Sequence, residues 1–282
     1  MTAPIAGIGE LLWDVYPDGR KVAGGAPFNF AYHCAQLGHP ATIISRVGDD
    51  DLGRELRHEV LRLGLSDEFI QTDRIHPTGT VTVSLDEQKV PTYTITRDVA
   101  WDFIEPVSQL NLAAICFGTL ALRSPVSRSS ILDVVRETTG LRVLDVNIRP
   151  PFLPAIETLR DCFRAAEWVK LGTDDLAKAG DLLRESERDH CPAVRILTKG
   201  DAGCEITGDE VFRLPADPSK VVDTVGAGDA FTAAMVCLHL EGRPLAECAR
   251  FATHYAARVC EHQGATPRID RAPVERAAFG AP

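Results

Sequence analysis

Short apolar runs alternate with stretches of helical spacing along the first part of the chain. Ile5-Ala6-Gly7-Ile8-Gly9 reads as a strand buried on both faces, and Pro27 then opens an apolar helix, Phe28 to Leu37, that Gly38 closes. Thr42-Ile43-Ile44 predicts the next strand. Leu52, Leu56, Val60 and Leu63 follow at helical spacing, with Gly64 placed to stop that helix. The period then changes. Thr80-Val81-Thr82-Val83-Ser84-Leu85 and Thr92-Tyr93-Thr94-Ile95 alternate polar and apolar around a charged turn at Asp86-Glu87-Gln88-Lys89, which predicts a hairpin with one wet face. Buried-strand runs return at Ala113–Phe117, Arg142–Val146, Trp168–Leu171 and Val194–Thr198, with helical stretches between the first of them. Two long helices end the pattern, Ala227 to about Glu241 and Leu245 to about Glu261, with no strand after them. This alternation predicts an α/β fold with a doubly wound, mostly parallel sheet flanked by helices and a small antiparallel flap inserted early. No repeat or long Gly/Ser linker divides the sequence, so residues 1–282 are expected to form a single domain.

Composition narrows the function classes. With 45% hydrophobic residues, 25% charged residues and a net charge of −10, the chain has the make-up of a soluble globular protein. The acidic balance and 6% aromatic content leave no electrostatic footprint for nucleic acid or an anionic membrane face. The eight cysteines include no C-x-x-C pair and lie mostly in apolar runs, so they are expected to be reduced, buried thiols. Met1-Thr2-Ala3-Pro4-Ile5 carries no basic region followed by an apolar stretch, and no window nears the ~18 uninterrupted apolar residues of a membrane helix, so a cytoplasmic location is expected.

The sharpest chemical feature is Asp223-Thr224-Val225-Gly226-Ala227-Gly228-Asp229, where two glycines sit at the mouth of an apolar helix. The first N–H groups of a helix lack internal partners and carry the positive end of its dipole, so such a mouth binds anions. A carboxylate there, Asp229, either complements the dipole or acts as a base that takes a proton from an attacking hydroxyl. Gly24-Gly25-Ala26-Pro27-Phe28-Asn29 also precedes a helix, and Thr198-Lys199-Gly200-Asp201-Ala202-Gly203 follows a buried strand, where glycines let a backbone approach a flat ligand. Two other motifs fail. Gly7-Ile8-Gly9 has Leu12 where a dinucleotide fingerprint needs glycine, and a calcium loop begun at Asp49 would need a bidentate Glu where Val60 stands. The eight histidines show no zinc spacing.

In this order the two glycine signatures resemble the ribokinase/fructokinase (pfkB-type) family of carbohydrate kinases, and most closely its fructokinase-type branch. The resemblance runs through nearly the whole chain: Gly9-Glu10 with Asp14, Gly48-Asp49-Asp50-Asp51-Leu52-Gly53, Asp145-Val146-Asn147-Ile148-Arg149, the Thr198–Gly203 turn and Gly264-Ala265. It implies a ribokinase-like fold and transfer of a γ-phosphoryl group from ATP, with Mg2+, to a sugar hydroxyl. By that likeness Asp229 matches the base, and Gly226, Ala227, Gly228 and Asp229 an anion hole of backbone N–H groups. Asp14, Gly24, Gly25 and Asn29 match sugar-binding positions, and Thr198, Gly200 and Gly203 match the nucleotide side. Arg149 is a candidate fork of donors for a sugar oxygen or phosphate, although an arginine after a strand is also a common surface ion-pair partner. Arg97 and Asp98 are lesser candidates at the substrate mouth. The resemblance further implies a lid from about residues 11–24 and 76–98, and it allows a homodimer through that lid and a monovalent cation near Asp223 and Val225. Two positions depart from the family pattern. Gly172-Thr173-Asp174-Asp175 stands where Asn-x-x-Glu is usual, leaving Asp175 as the expected magnesium support, and Thr253 stands where an Asn usually contributes to the adenine site. Other readings of the same scaffold are a nucleoside or sugar-acid kinase and a non-catalytic sugar- or nucleotide-binding regulator.

Overall fold

The structure, a computed structural model, describes residues 3–85, 91–108, 110–188 and 190–280. The expected turn at Asp86–Lys89 lies outside the described residues. Thirteen strands and eight α-helices are described, and nine of the strands form one sheet. At its centre β1 (Ile5–Ile8) pairs in parallel with β4 (Ala41–Gly48) on one side and β8 (Ala114–Gly118) on the other. From β4 the sheet extends to β5 (Ile70–Asp73), and from β8 through β9 (Leu141–Asp145) and β10 (Trp168–Gly172) to β11 (Val194–Thr198), all parallel. The antiparallel strands β12 (Cys204–Thr207) and β13 (Val211–Leu214) close the far edge. The chain therefore winds outward from β1 one way and returns to wind the other way from β8. In such sheets the crevice at that reversal, beyond the carboxyl ends of the strands, is where ligands sit.

A second sheet has the order β3 (Lys21–Gly24), β2 (Leu12–Val15), β6 (Gly79–Leu85), β7 (Pro91–Ile95). Its pairs are antiparallel except β2 with β6, which is parallel. The hairpin alternates as its sequence predicts, with Val81 and Val83 buried and Thr82 and Ser84 exposed. The root of this sheet is held by the aspartate-rich run. Asp50 caps α2 (Asp51–Arg62) by accepting from the Gly53 amide at 2.7 Å, and it also accepts the Thr78 amide at 2.8 Å and hydroxyl at 2.6 Å. Burial works against the Asp50 charge, but those bonds outweigh it and hold the carboxyl below its usual range.

Helices cover both faces of the large sheet. One core packs Ile5, Cys116, Val143, Trp168 and Ile196 against α1 (Ala26–Gln36), α6 (Ala227–Leu240), α7 (Leu245–Cys260) and α8 (Arg271–Phe279). The other packs Ala6, Ile8, Ile115, Phe117, Leu144, Val169 and Leu171 against α3 (Pro125–Glu137), α4 (Ile156–Ala165) and α5 (Thr173–Glu187). Successive residues of each strand thus face opposite layers, which is why these strands are apolar throughout. All eight cysteines are free thiols, and the expectation of burial needs correcting at two of them: Cys191, in the loop before β11, is exposed and Cys260 is half-buried. Among the described residues no helix is long and apolar enough to cross a membrane.

Candidate active site

Two helix mouths meet over the carboxyl ends of β1, β9 and β10. Gly25 (φ +114°) caps α1, and Gly226, in the left-handed region at φ +77°, caps α6. A Cβ on Gly226 would lie 2.6 Å from that of Ala265, so this cap is glycine for space as well as for conformation. Across the gap the Asn29 Nδ2 donates to Asp229 Oδ2 at 2.8 Å, bringing together two residues 200 positions apart. The Asn29 Oδ1 is buried without a partner among the described residues. At the α6 mouth the Ala227 amide turns back to the Thr224 carbonyl at 3.3 Å, whereas no acceptor among the described residues faces the amides of Gly226, Gly228 and Asp229. These open donors lie where the positive end of the α6 dipole falls.

Carboxyls crowd this gap. Asp229 is pushed up to about 6 by burial and by the neighbouring Asp145, while Lys170, the Asn29 bond and Arg149 pull it down. Asp14, on β2, is pushed up to about 6 by burial against a smaller opposing pull from Arg149. Its Oδ2 fills the space beside Gly24, where a Cβ would come within 2.7 Å, so a larger residue at 24 would displace the Asp14 carboxyl. Arg149, within the loop between β9 and α4, is exposed and has no side-chain hydrogen bond or ion pair among the described residues. It pulls on Glu10, Asp14 and Asp229 together, which places it near all three carboxyls. Arg97, also exposed, lies over the Phe152 ring with its Cζ 4.6 Å from the centroid.

Sequence reasoning assigned no role to four residues here. Glu10, just past β1, accepts from the Ala26 amide at 3.3 Å and so caps α1, whose N-cap Gly25 has no side chain. Its Oε2 is buried with no partner among the described residues, and burial pushes the carboxyl up to about 7. Lys170 donates to both oxygens of Asp145 at 3.0 and 2.9 Å, and the Thr232 hydroxyl lies 3.1 Å from Asp145 Oδ2. The available signal was a single cation in the apolar strand Trp168-Val169-Lys170-Leu171.

Asp175 is buried and Asp174 exposed, so only the former points inward. Its Oδ1 accepts from the Ile148 amide at 2.6 Å and its Oδ2 from the Gly172 amide at 2.7 Å, which ties the loop after β9 to the start of α5. Among the described residues no group of three or more His, Cys, Asp or Glu side chains is placed to hold a metal ion. Asp223 is occupied in the same way, by the Val225 amide at 3.0 Å and the Gly264 amide at 2.9 Å.

The Thr198–Gly203 turn lies farther along the sheet edge. Gly200 and Gly203 both have positive φ, and a Cβ on Gly203 would strike the Leu214 carbonyl at 2.0 Å. The segment it packs on, Leu214 to Ala216, forms one wall of a cavity of about 300 Å3 whose other walls include Asp217, Arg250, Thr253 and His254. The Thr198 hydroxyl donates to the Leu171 carbonyl at 3.3 Å. Thr253 turns its hydroxyl onto the Ala249 carbonyl at 2.9 Å.

Residues 16–271 match the model of the pfkB family of carbohydrate kinases. The chain is 33% identical over 260 residues to a fructokinase of Klebsiella pneumoniae, covering 84% of each, and 30% identical over 285 residues to a fructokinase of Salmonella typhimurium, covering 92% of each. Among solved structures it superposes on a sugar kinase of Pyrococcus horikoshii with a TM-score of 0.85, 27% identity and 99% coverage of both chains; that kinase has also been crystallised with ATP. A fructokinase of Vibrio cholerae crystallised with fructose, ADP and calcium shares the fold, with a TM-score of 0.83 at 23% identity.

Proposed function

The chain belongs to the pfkB family of carbohydrate kinases, as a fructokinase-like sugar kinase, and on that premise we propose that it transfers the γ-phosphoryl group of ATP to a hydroxyl of a neutral sugar, fructose first, with Asp229 as the base. The observation that carries this reading is the Asn29–Asp229 contact at 2.8 Å, which sets a proton acceptor at the open mouth of α6 beside an amide with an unused acceptor oxygen. Asp229 takes the proton of the attacking hydroxyl as its oxygen bonds to the γ-phosphorus and the bond to the ADP oxygen breaks. The amides of Gly226, Gly228 and Asp229 stabilise charge on the transferred group.

Asp14 and the Asn29 Oδ1 accept sugar hydroxyls, with Gly24 and Gly25 letting the sugar approach the backbone. The Thr198, Gly200 and Gly203 turn and the adjoining cavity take the nucleotide, whose base meets Arg250 and His254 where Thr253 offers no amide. Magnesium supplies charge neutralisation on the phosphates. Asp175 would be the residue that supports such an ion, most readily through a bound water, since its two oxygens are already engaged by the Ile148 and Gly172 amides. The four-stranded sheet serves as the lid over the sugar, and its exposed edges β3 and β7 with Tyr93 are the surface for a second copy. The free guanidinium of Arg149 favours one alternative, a sugar-acid substrate.

ADP release over a panel of neutral sugars, nucleosides and sugar acids tests the substrate class, with turnover on fructose expected and turnover on acids alone overturning it. Asp229→Asn is expected to lower kcat by about 10²–10⁴ with sugar affinity by calorimetry little changed. A near-parent kcat would remove Asp229 as the base.

A further inference from the structure

The meeting of Asp145 and Lys170 follows from strand geometry. Asp145 and Lys170 are register partners across β9 and β10, and each lies two residues beyond a core residue of the α6-facing layer, Val143 and Trp168. Alternation therefore points both charged side chains at α6. There the Lys170 ammonium is held in a fork by both Asp145 oxygens, and Thr232, one turn into α6, bonds the same carboxylate. Thr232 also donates to the Gly228 carbonyl at 3.0 Å. A Cβ on Gly228 would stand 2.8 Å from Lys170 Nζ, so the backbone of the helix mouth rests directly on a buried cation.

We propose that Lys170 is a positioning residue of the transfer step: clamped by Asp145 beneath Gly228, its ammonium keeps Asp229 in the charged, proton-accepting form and adds positive charge under the mouth of α6. The inference rests on the reading of Asp229 as the base. The groups facing Asp229 are Asn29 from α1, Glu10 after β1, the Cys116 thiol on β8, Asp145 on β9, Arg149 after it and Lys170 on β10. Burial pushes the Cys116 thiol far up, so it stays neutral. Glu10 and Asp145 oppose the Asp229 charge, and Arg149 is exposed to solvent screening, which leaves Lys170 as the enclosed cation in the set. Lys170 itself is disfavoured by burial, but Asp145 and Asp229 more than compensate and hold it charged.

A purely structural role, in which the pair only ties β9 to β10, makes a different prediction from this one. The test is the pH profile of kcat/KM for sugar at saturating nucleotide in the parent, Lys170→Met, Lys170→Arg and the double variant Asp145→Asn/Lys170→Met. With Asp229 as the base, the acid limb of the parent is expected near pH 6. In Lys170→Met it is expected to move up by about one pH unit or more, since an opposite charge near a carboxyl lowers its pKa by roughly 1–3 units. It should stay within about 0.3 unit of the parent in Lys170→Arg and return toward it in the double variant, where the opposing Asp145 charge is also gone. An acid limb unmoved in Lys170→Met, with the rate lowered equally at every pH, overturns the inference. Should Lys170→Met fail to fold, the double variant against Asp145→Asn decides, because the inference requires the acid limb to lie higher in the double. Asp229→Asn separates the two levels: its inactivity with an unmoved limb sinks only the role of Lys170, whereas its retained activity sinks the base itself.

Discussion

Glu10 couples the site to stability. The residue is 3% exposed, its Oε2 has no partner among the described residues, and burial raises the carboxyl from 4.5 to about 7. A carboxyl raised in the folded state contributes stability that is fully present below its unfolded value and is lost as pH rises through the folded one. Between pH 5 and pH 8 the parent should therefore lose on the order of 2–3 kcal/mol at this group. Glu10→Gln keeps an oxygen for the Ala26 amide and cannot ionise. The stability of the variant relative to the parent, by denaturant titration at pH 5 and pH 8, should rise by about that amount, while any mispairing of the new amide is the same at both pH values. An unchanged difference between the two pH values would show that Glu10 does not titrate in this range. Asp229 and Asp14, raised to about 6, act in the same direction.

The site depends on how closely α1 approaches β1. A Cβ on Gly7 would fall 2.0 Å from the Pro27 carbonyl oxygen, closer than any side chain tolerates, so β1 and α1 touch backbone to backbone at this point. Gly7→Ala must push the first turn of α1 outward, and Asn29 with it, away from the Asp229 contact at 2.8 Å. Loss of about 3 kcal/mol of stability is expected from such overpacking, together with a raised KM for sugar. Parent-like unfolding and KM would show that α1 shifts freely. Periodicity predicted α1, α2, α6 and α7 and the buried parallel strands, because the helices carry apolar residues at helical spacing and the strands are apolar toward both layers. It did not reveal β2, β3, β5, β12, β13 or α8: these strands are four residues long, and β3 and β13 are half exposed, so pairing partners rather than apolar runs define them.

The residues of the candidate site come together only in the assembled molecule. Asp14 reaches the gap from the small sheet, Asn29 from α1, Asp229 from α6 and Arg149 from the loop after β9. A sugar that binds across them stabilises all of these elements at once. At 100 times its dissociation constant it should add about 2.7 kcal/mol, which in a chain of this size corresponds to roughly 5–10 °C in Tm. Fructose is expected to give that shift in the parent and in Asp229→Asn, which binds without turning over. A shift produced by sugar acids and not by fructose would move specificity to Arg149 and Arg97.

The order of apolar runs, helix stops and glycine clusters was enough to predict the doubly wound sheet, the hairpin and the two helix mouths, because each depends on residues near one another in the chain. The resemblance carried by Gly24–Asn29 and Asp223–Asp229 likewise named the family and its candidate residues. Pairings between distant segments were not legible. That Asn29 meets Asp229, that Asp145 and Lys170 share a register and face Gly228, and that Asp175 and Asp223 are taken up by backbone amides depend on which strands neighbour each other and how closely helices lie on them. Burial then raises Glu10, Asp14 and Asp229, since a carboxyl's proton affinity depends on the dielectric and charges around it, and those are set by packing rather than by neighbours in sequence.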